Sequence, residues 1–283
     1  MKMQTMRGIA PGGGGGKTRK TLVNRLFLNN FTNTLPDILC FSIKAPYAFT
    51  MAEVLITLGI IGIVAAMTLP SLIQNHQKKV LTTQLKRTYS VLAQAIERSK
   101  ADYGDSSGWG MEQYYNSESS TANAKEIVKI FASKYLVPYL SKVEVHEWAT
   151  LEDIGYKSIT DNGTTDGESS KTQGLVLVLN DGSVLRISMA GYNYGTEDAP
   201  DYKLTNVYIL ADVNGKRGPN QTGKDIFAFY FQTQNGNFRF YSWSGTPVLD
   251  RNKNLEYCQK VPKTCGQLIM QDGWEIKDDY PWW

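Results

Sequence analysis

The sequence predicts an α+β protein in which one long N-terminal helix, apolar in its first half and amphipathic in its second, packs on an antiparallel β-sheet head. Three observations predict it. Val54 to Ile73 is a run of twenty uncharged residues with one carboxylate, Glu53, at its N-terminal edge. Beyond Pro70, apolar residues recur at helical spacing with Lys, Gln and Arg between them. From Gln173 onward the pattern changes to strand-like segments separated by turn residues.

Residues 1–48 read as a low-complexity leader with seven Lys or Arg against one acid, Asp37. Gly12 to Gly16 followed by Lys17-Thr18 imitates a phosphate-binding loop, but Pro11 stands where its first Gly belongs and no apolar strand precedes it. The apolar run comes next. At about 1.5 Å of rise per residue it can cross a bilayer core of roughly 30 Å, which places a transmembrane part over residues 51–73. Ile73, Val80, Leu81, Leu85, Leu92 and Ile96 continue the helix, so that one element is expected over residues 49–101, bent at Pro70. A head over residues 102–283 follows. Residues 102–122 read as a surface loop, and Asn123 with Glu126 as a capping box opening a second helix. Its buried stripe would be Ile127, Val128, Ile130, Phe131, Tyr135 and Leu136, with Pro138 at its end. Leu175 to Leu179, the turn Asn180-Asp181-Gly182 and Ser183 to Ile187 form the strongest hairpin signal. Val207 to Ala211, Ile226 to Phe231 and Asn237 to Trp243 supply further strands, the last two joined through Asn235-Gly236.

The run Ala48-Phe49-Thr50-Met51-Ala52-Glu53-Val54-Leu55-Ile56 resembles the N-terminal cleavage and methylation motif of type IV pilins and type II secretion pseudopilins. The resemblance implies a pilin-like fold and a structural role. By it, a membrane prepilin peptidase and methyltransferase cuts the Ala48–Phe49 bond and methylates the new amine of Phe49, Glu53 is the acid at the fifth mature residue, and Pro70 is the helix-kinking proline. Ala48 departs from the Gly usual before the cut. The implied partners are identical or related pilin subunits in a filament and an inner-membrane assembly platform, with the head in the periplasm or in an extracellular filament. The physics runs the same way: a carboxylate beside lipid seeks a cation, and the amine of Phe49 on a neighbouring subunit would supply one. Gly59, Gly62, Ala65 and Ala66 leave room for close helix packing.

The loop from Asp212 to Asp225 concentrates side-chain oxygens and glycines, and it is similar to loops of major pseudopilins that hold calcium. Asp212, Asn214, Asn220 and Asp225 would be the donors of a Ca2+ site. Lys216, Arg217 and Lys224 oppose a cation, and a structural loop closed by Asx turns is the preferred reading. No cofactor is required. Cys258 and Cys265 remain in the head as a close pair, read as a disulfide closing a short C-terminal loop in an exported domain, with two free thiols the other reading. In the aromatic tail, Trp274 is expected to close the core, while Trp282 and Trp283, if exposed, would need a partner.

The chain has 30 basic and 27 acidic residues; removing the seven and one of the leader leaves 23 and 26, a net charge near −3. The basicity belongs to the leader, and no specific nucleic-acid partner is expected. His76 and His146 are the only histidines, no HExxH pair is present, and the chain is not expected to be an enzyme. The alternative is a single-pass, signal-anchored membrane protein with an exported binding or enzymatic domain.

Overall fold

The computed structural model describes residues 49–111, 114–115, 120–159, 169–193, 202–242 and 248–283. The expected leader, with Ala48 and Cys40, lies outside them, as does Trp243. The chain divides into two units, one ending at Val54 and the other running from Leu55 to Trp283.

Helix α1 spans Met51–Tyr103 and passes through Pro70 without a break. Proline removes one backbone donor there, a loss a long helix tolerates when the residues around it supply other bonds. Thr68 Oγ1 donates to the carbonyl of Val64 (3.0 Å) and Ser71 Oγ to that of Thr68 (3.1 Å). Leu81, Leu85, Thr88, Leu92, Ala95, Ile96 and Ser99 are buried, in steps of three and four that define one face. Ile73 and Val80, which the periodicity put on that stripe, are 52% and 40% exposed, so the packed face starts at Leu81. Gly104, in the left-handed region, ends the helix by donating to the carbonyl of Lys100.

A short strand, β1 (Tyr114–Tyr115), precedes helix α2 (Ser120–Ile130), which widens into a π turn over Phe131–Leu136. The helix starts before Asn123, so the Asn123–Glu126 pair lies inside it and does not open it. The expected stripe is otherwise buried, apart from half-buried Ile130. Among the described residues the sheet runs β2 (Val143–Ala149), β3 (Gly174–Leu179), β4 (Val184–Asn193), β5 (Tyr202–Asp212), β6 (Ile226–Gln232) and β7 (Asn237–Phe240), each antiparallel to the next, with β1 beside β5. The β3–β4 hairpin pairs Val178 with Val184. Gly182 supplies the positive φ of its loop, and Asp181 Oδ1 accepts from the backbone N–H of Ser183.

One face of the sheet, with Leu177, Leu185, Ile187, Ile209, Phe227, Phe229 and Phe231, packs with Leu85, Leu92 and Ile96 of α1 and with α2 into a single core. On the opposite face Val176 and Val184 lie under Leu151, Ile154 and Tyr156.

Two C-terminal helices, α3 (Arg251–Lys260) and α4 (Cys265–Gln271), complete the head. Asp250 caps α3 by accepting from the N–H of Asn252 at 2.8 Å. Cys258 and Cys265, both fully buried, form a disulfide between the two helices. At Gly266 a Cβ would stand 2.2 Å from the ring of Phe240, itself 1% exposed. Gly266→Ala is therefore expected to destabilise the head by about 1–3 kcal/mol through overpacking, read as a lowered Tm with an unchanged disulfide. A melting curve matching wild type would show that this contact relaxes freely.

Candidate functional site

In the N-terminal unit, Phe49 is 83% exposed and Thr50 caps α1. The Glu53 carboxylate accepts from the backbone N–H and the hydroxyl of Thr50, each at 2.8 Å, and the N–H of Glu53 donates back to Thr50 Oγ1 at 3.2 Å. This is the reciprocal Ser/Thr-x-x-Glu capping box. Glu53 thus has a local role that the sequence reading passed over, although Thr50 and Glu53 carry the pattern at the required spacing. Phe49 and Glu53 lie in the described residues; Ala48, the other side of the expected cut, does not.

In the second unit, α1 is solvent-exposed over its apolar stretch. Leu55 is 70% exposed and Met67 76%, and Ile56, Leu58, Ile60, Ile61, Ile63, Val64 and Leu72 are exposed as well. These side chains point to several sides of the helix, which is the pattern of a segment surrounded by lipid or by other helices. The helix is long and apolar enough to cross a membrane. Nothing lies within 4 Å of a Cβ built on Gly59 or Gly62, so these positions are open to a neighbouring backbone. Among the described residues the chain therefore has one apolar helix of transmembrane length and a folded, disulfide-bonded β-sheet domain.

The loop between β5 and β6 brings Asp212, Asn214, Asn220 and Asp225 together, but the carboxylate oxygens of Asp212 and Asp225 face protein donors. Asp225 Oδ1 accepts from the N–H of Gln221 (2.7 Å) and Oδ2 from that of Asn220 (2.8 Å). Asp212 Oδ2 accepts from the Tyr156 hydroxyl (2.9 Å) and Oδ1 from the N–H of Asn214 (3.2 Å). With its amide nitrogen turned inward, Asn220 donates to Asp212 Oδ2 and to the carbonyl of Gly215, each at 3.2 Å. Calcium takes six to eight oxygen ligands, with carboxylates at their centre and backbone carbonyls and waters completing the set. The four side chains fit a loop closed by its own hydrogen bonds and do not fit an open oxygen cage. Burial, with the charge of Asp225 second, pushes the Asp212 carboxyl up to about 8. Burial also raises Asp225, against the backbone N–H groups of Gln221 and Asn220 that hold it down.

The tail is folded back on the head. Trp274 packs against Tyr89 and Phe240, Trp282 donates its indole N–H to the carbonyl of Cys258 at 3.0 Å, and Tyr280 donates to the carbonyl of Gly223. Trp282 and Trp283 are half-buried against the core, so the exposure under which they would need a partner is not found. A residue the sequence reading missed, Arg251, ties α3 to the tail by gripping Asp272 (2.6 and 2.8 Å) and Asp279 (2.8 and 2.9 Å). His146 faces Glu144 on the edge strand β2 at 3.0 Å. Among the described residues no group of three or more His, Cys, Asp and Glu could hold a metal ion.

Comparison with known proteins adds one result. Residues 71–283 match the model of a family of unknown function, DUF6613. The match begins one residue past Pro70 and takes in the amphipathic half of α1 and the whole head. No curated protein and no solved structure matches the chain. With three quarters of its length inside that family model, the chain belongs to DUF6613, a family of unknown function.

Proposed function

We propose that this chain is a prepilin-like structural subunit, cut before Phe49 and N-methylated by a prepilin peptidase and methyltransferase, which assembles through α1 into a type IV pilus or type II secretion pseudopilus on an inner-membrane platform. The observation that carries the reading is the division of α1. A single 53-residue helix is packed on the sheet by one face from Leu81 onward, and its apolar first half has exposed side chains on several sides. A segment of that kind gains from being surrounded by lipid before assembly and by identical helices after it. The motif from Ala48 to Ile56 supports the same reading, and a disulfide in the head suits an exported compartment. In this reading the chain has no catalytic role, and Glu53 neutralises the amine of Phe49 on the adjoining subunit.

A second reading, a single-pass anchored protein with an exported binding or enzymatic domain, draws on the family match, which covers the head and leaves the motif outside. It needs only the span and the folded domain. Side-by-side helices separate the two. Gly59→Cys in the membrane-embedded full chain is expected to give chain-to-chain disulfides under mild oxidation, because the position is open to a neighbour. A tether that works alone yields monomer under the same oxidation.

A further inference from the structure

The Cys258–Cys265 disulfide ties α3 to the start of α4, and both cysteines are 0% exposed. We propose that residues 272–283 form a strap over this disulfide, and that the docked strap and the oxidised pair hold each other in place as a redox-coupled latch. The latch needs only the fold of the head and is independent of the assembly reading.

The strap is seated on the disulfide loop itself. Trp282 donates its indole N–H to the carbonyl of Cys258 at 3.0 Å. A Cβ built on Gly223 would stand 2.7 Å from Cδ1 of Trp282 and 3.1 Å from Cβ of Pro262, so the indole is fitted where the β5–β6 loop meets the turn between the two cysteines. Only a glycine leaves that room, and its φ of +80° suits glycine as well. Tyr280 belongs to the same buried cluster as Cys258 and Cys265 and donates to the carbonyl of Gly223.

The clamp is separate from the seat. Arg251 holds Asp272 and Asp279 from the first turn of α3, about two helical turns or roughly 10 Å before Cys258. Residues 275–283 add neither helix nor strand to the head, and side chains anchor them. Such a segment can lift as one unit while the sheet stays paired.

Chemistry couples strap and disulfide in both directions. Thiol–disulfide exchange requires a thiolate to reach one of the sulfurs. A dithiol reductant supplies it: its thiolate bonds to one cysteine sulfur, the S–S bond breaks, and the other sulfur leaves and takes a proton. The reductant's second thiol then displaces the first cysteine sulfur, which is protonated in turn, giving a cyclic disulfide and two protein thiols. With both sulfurs buried, this attack waits on an opening, and the strap is the part that opens. Conversely, the closed disulfide fixes the Cys258 carbonyl and Pro262 where Trp282 meets them, and two free thiols release that seat. By linkage the two effects are equal in free energy.

The test uses the full chain, folded in detergent, with excess dithiothreitol, an alkylating quench and peptide mass mapping of Cys258 and Cys265. Wild type is expected to be reduced slowly, and Trp282→Ala and Arg251→Gln faster by about tenfold or more. Arg251 stands away from the sulfurs, so its effect reads the strap. Leu177→Ala, fully buried in β3, lowers global stability and is expected to leave the rate within about twofold of wild type. Equal rates in wild type and both strap variants, or acceleration that follows the loss of Tm in all three variants, overturns the strap, because the sulfurs are then reached only by unfolding. Amide hydrogen exchange reads the reverse direction. Reduced wild type is expected to lose protection at residues 279–283 by about tenfold or more while β3 to β5 keep theirs. Unchanged protection of the tail, or its loss together with that of the sheet, overturns the coupling. This comparison uses wild type alone and decides even where a variant misfolds.

Discussion

Glu53→Gln is expected to leave α1 folded and inserted and to abolish assembly. A glutamine at this position still completes the capping box, because its side-chain oxygen accepts from the N–H and hydroxyl of Thr50 as the carboxylate does. The substitution therefore removes the charge and little else. In the proposed assembly that charge would face a liberated amine in a medium of low dielectric, where losing a few kcal/mol per subunit lowers association by roughly a hundredfold or more. Two companions make the result interpretable. Thr50→Ala loses about 1 kcal/mol of capping but keeps the carboxylate, and it should still assemble. Glu53→Ala loses both cap and charge, and it should resemble Glu53→Gln in assembly while fraying at the helix start. Filament or crosslinked-oligomer yield reads all three. An anchored domain that never assembles predicts no difference among them.

Asp212→Asn is expected to stabilise the head at alkaline pH and to flatten its pH dependence. Asp212 has a folded pKa of about 8 against the ordinary 3.8 of an aspartate, because burial and then the neighbouring charge of Asp225 disfavour ionisation. A group raised in the folded state contributes stability that is fully present below its unfolded pKa and lost as pH rises through the folded one. The head should therefore lose stability from about pH 4 to about pH 8 on account of this residue, by several kcal/mol in total. Asparagine occupies the same space with no charge to expose. Melting the full chain in detergent at pH 5 and pH 8.5 should show a Tm gap in wild type that the variant narrows by raising the alkaline value. Calcium separates the explanations further. If Asp212 shares protons and not a metal, chelator leaves the wild-type Tm at pH 8.5 unchanged; a chelator-induced fall would identify a cation that keeps both carboxylates ionised.

What could be read in the sequence followed the strength of the periodic signal. Leu81, Leu85, Leu92 and Ile96 announce a helix face because their spacing has few alternatives, and the Asn180-Asp181-Gly182 turn announces its hairpin through the glycine its loop demands. Strand β2 was missed because Val143–Ala149 carries Glu144, His146 and Glu147 on an edge that is half solvated and never shows a clean alternation. Helix α3 was missed for a similar reason: of its ten residues only Asn254 and Cys258 are buried, so packing and the Asp250 cap, not an apolar stripe, hold it in place. The false helix start at Asn123 shows that a capping pair is weak where no apolar period begins beside it. Glu53 was legible twice over, as the acid of a run that resembles a processing motif and as the acid of a capping box, and only the first was read. The cleft lined by Gln84, Arg217 and Trp283 was not legible at all, since these residues are far apart in the chain and meet only through the fold.

The proposition beneath these predictions is that the chain reaches its working form by losing its first 48 residues. Intact-mass measurement of the protein extracted from membranes tests it most directly. A species beginning at Phe49 and carrying one additional methyl group is the predicted result; a membrane-embedded species that retains residues 1–48 contradicts it and leaves the anchored-domain reading in its place.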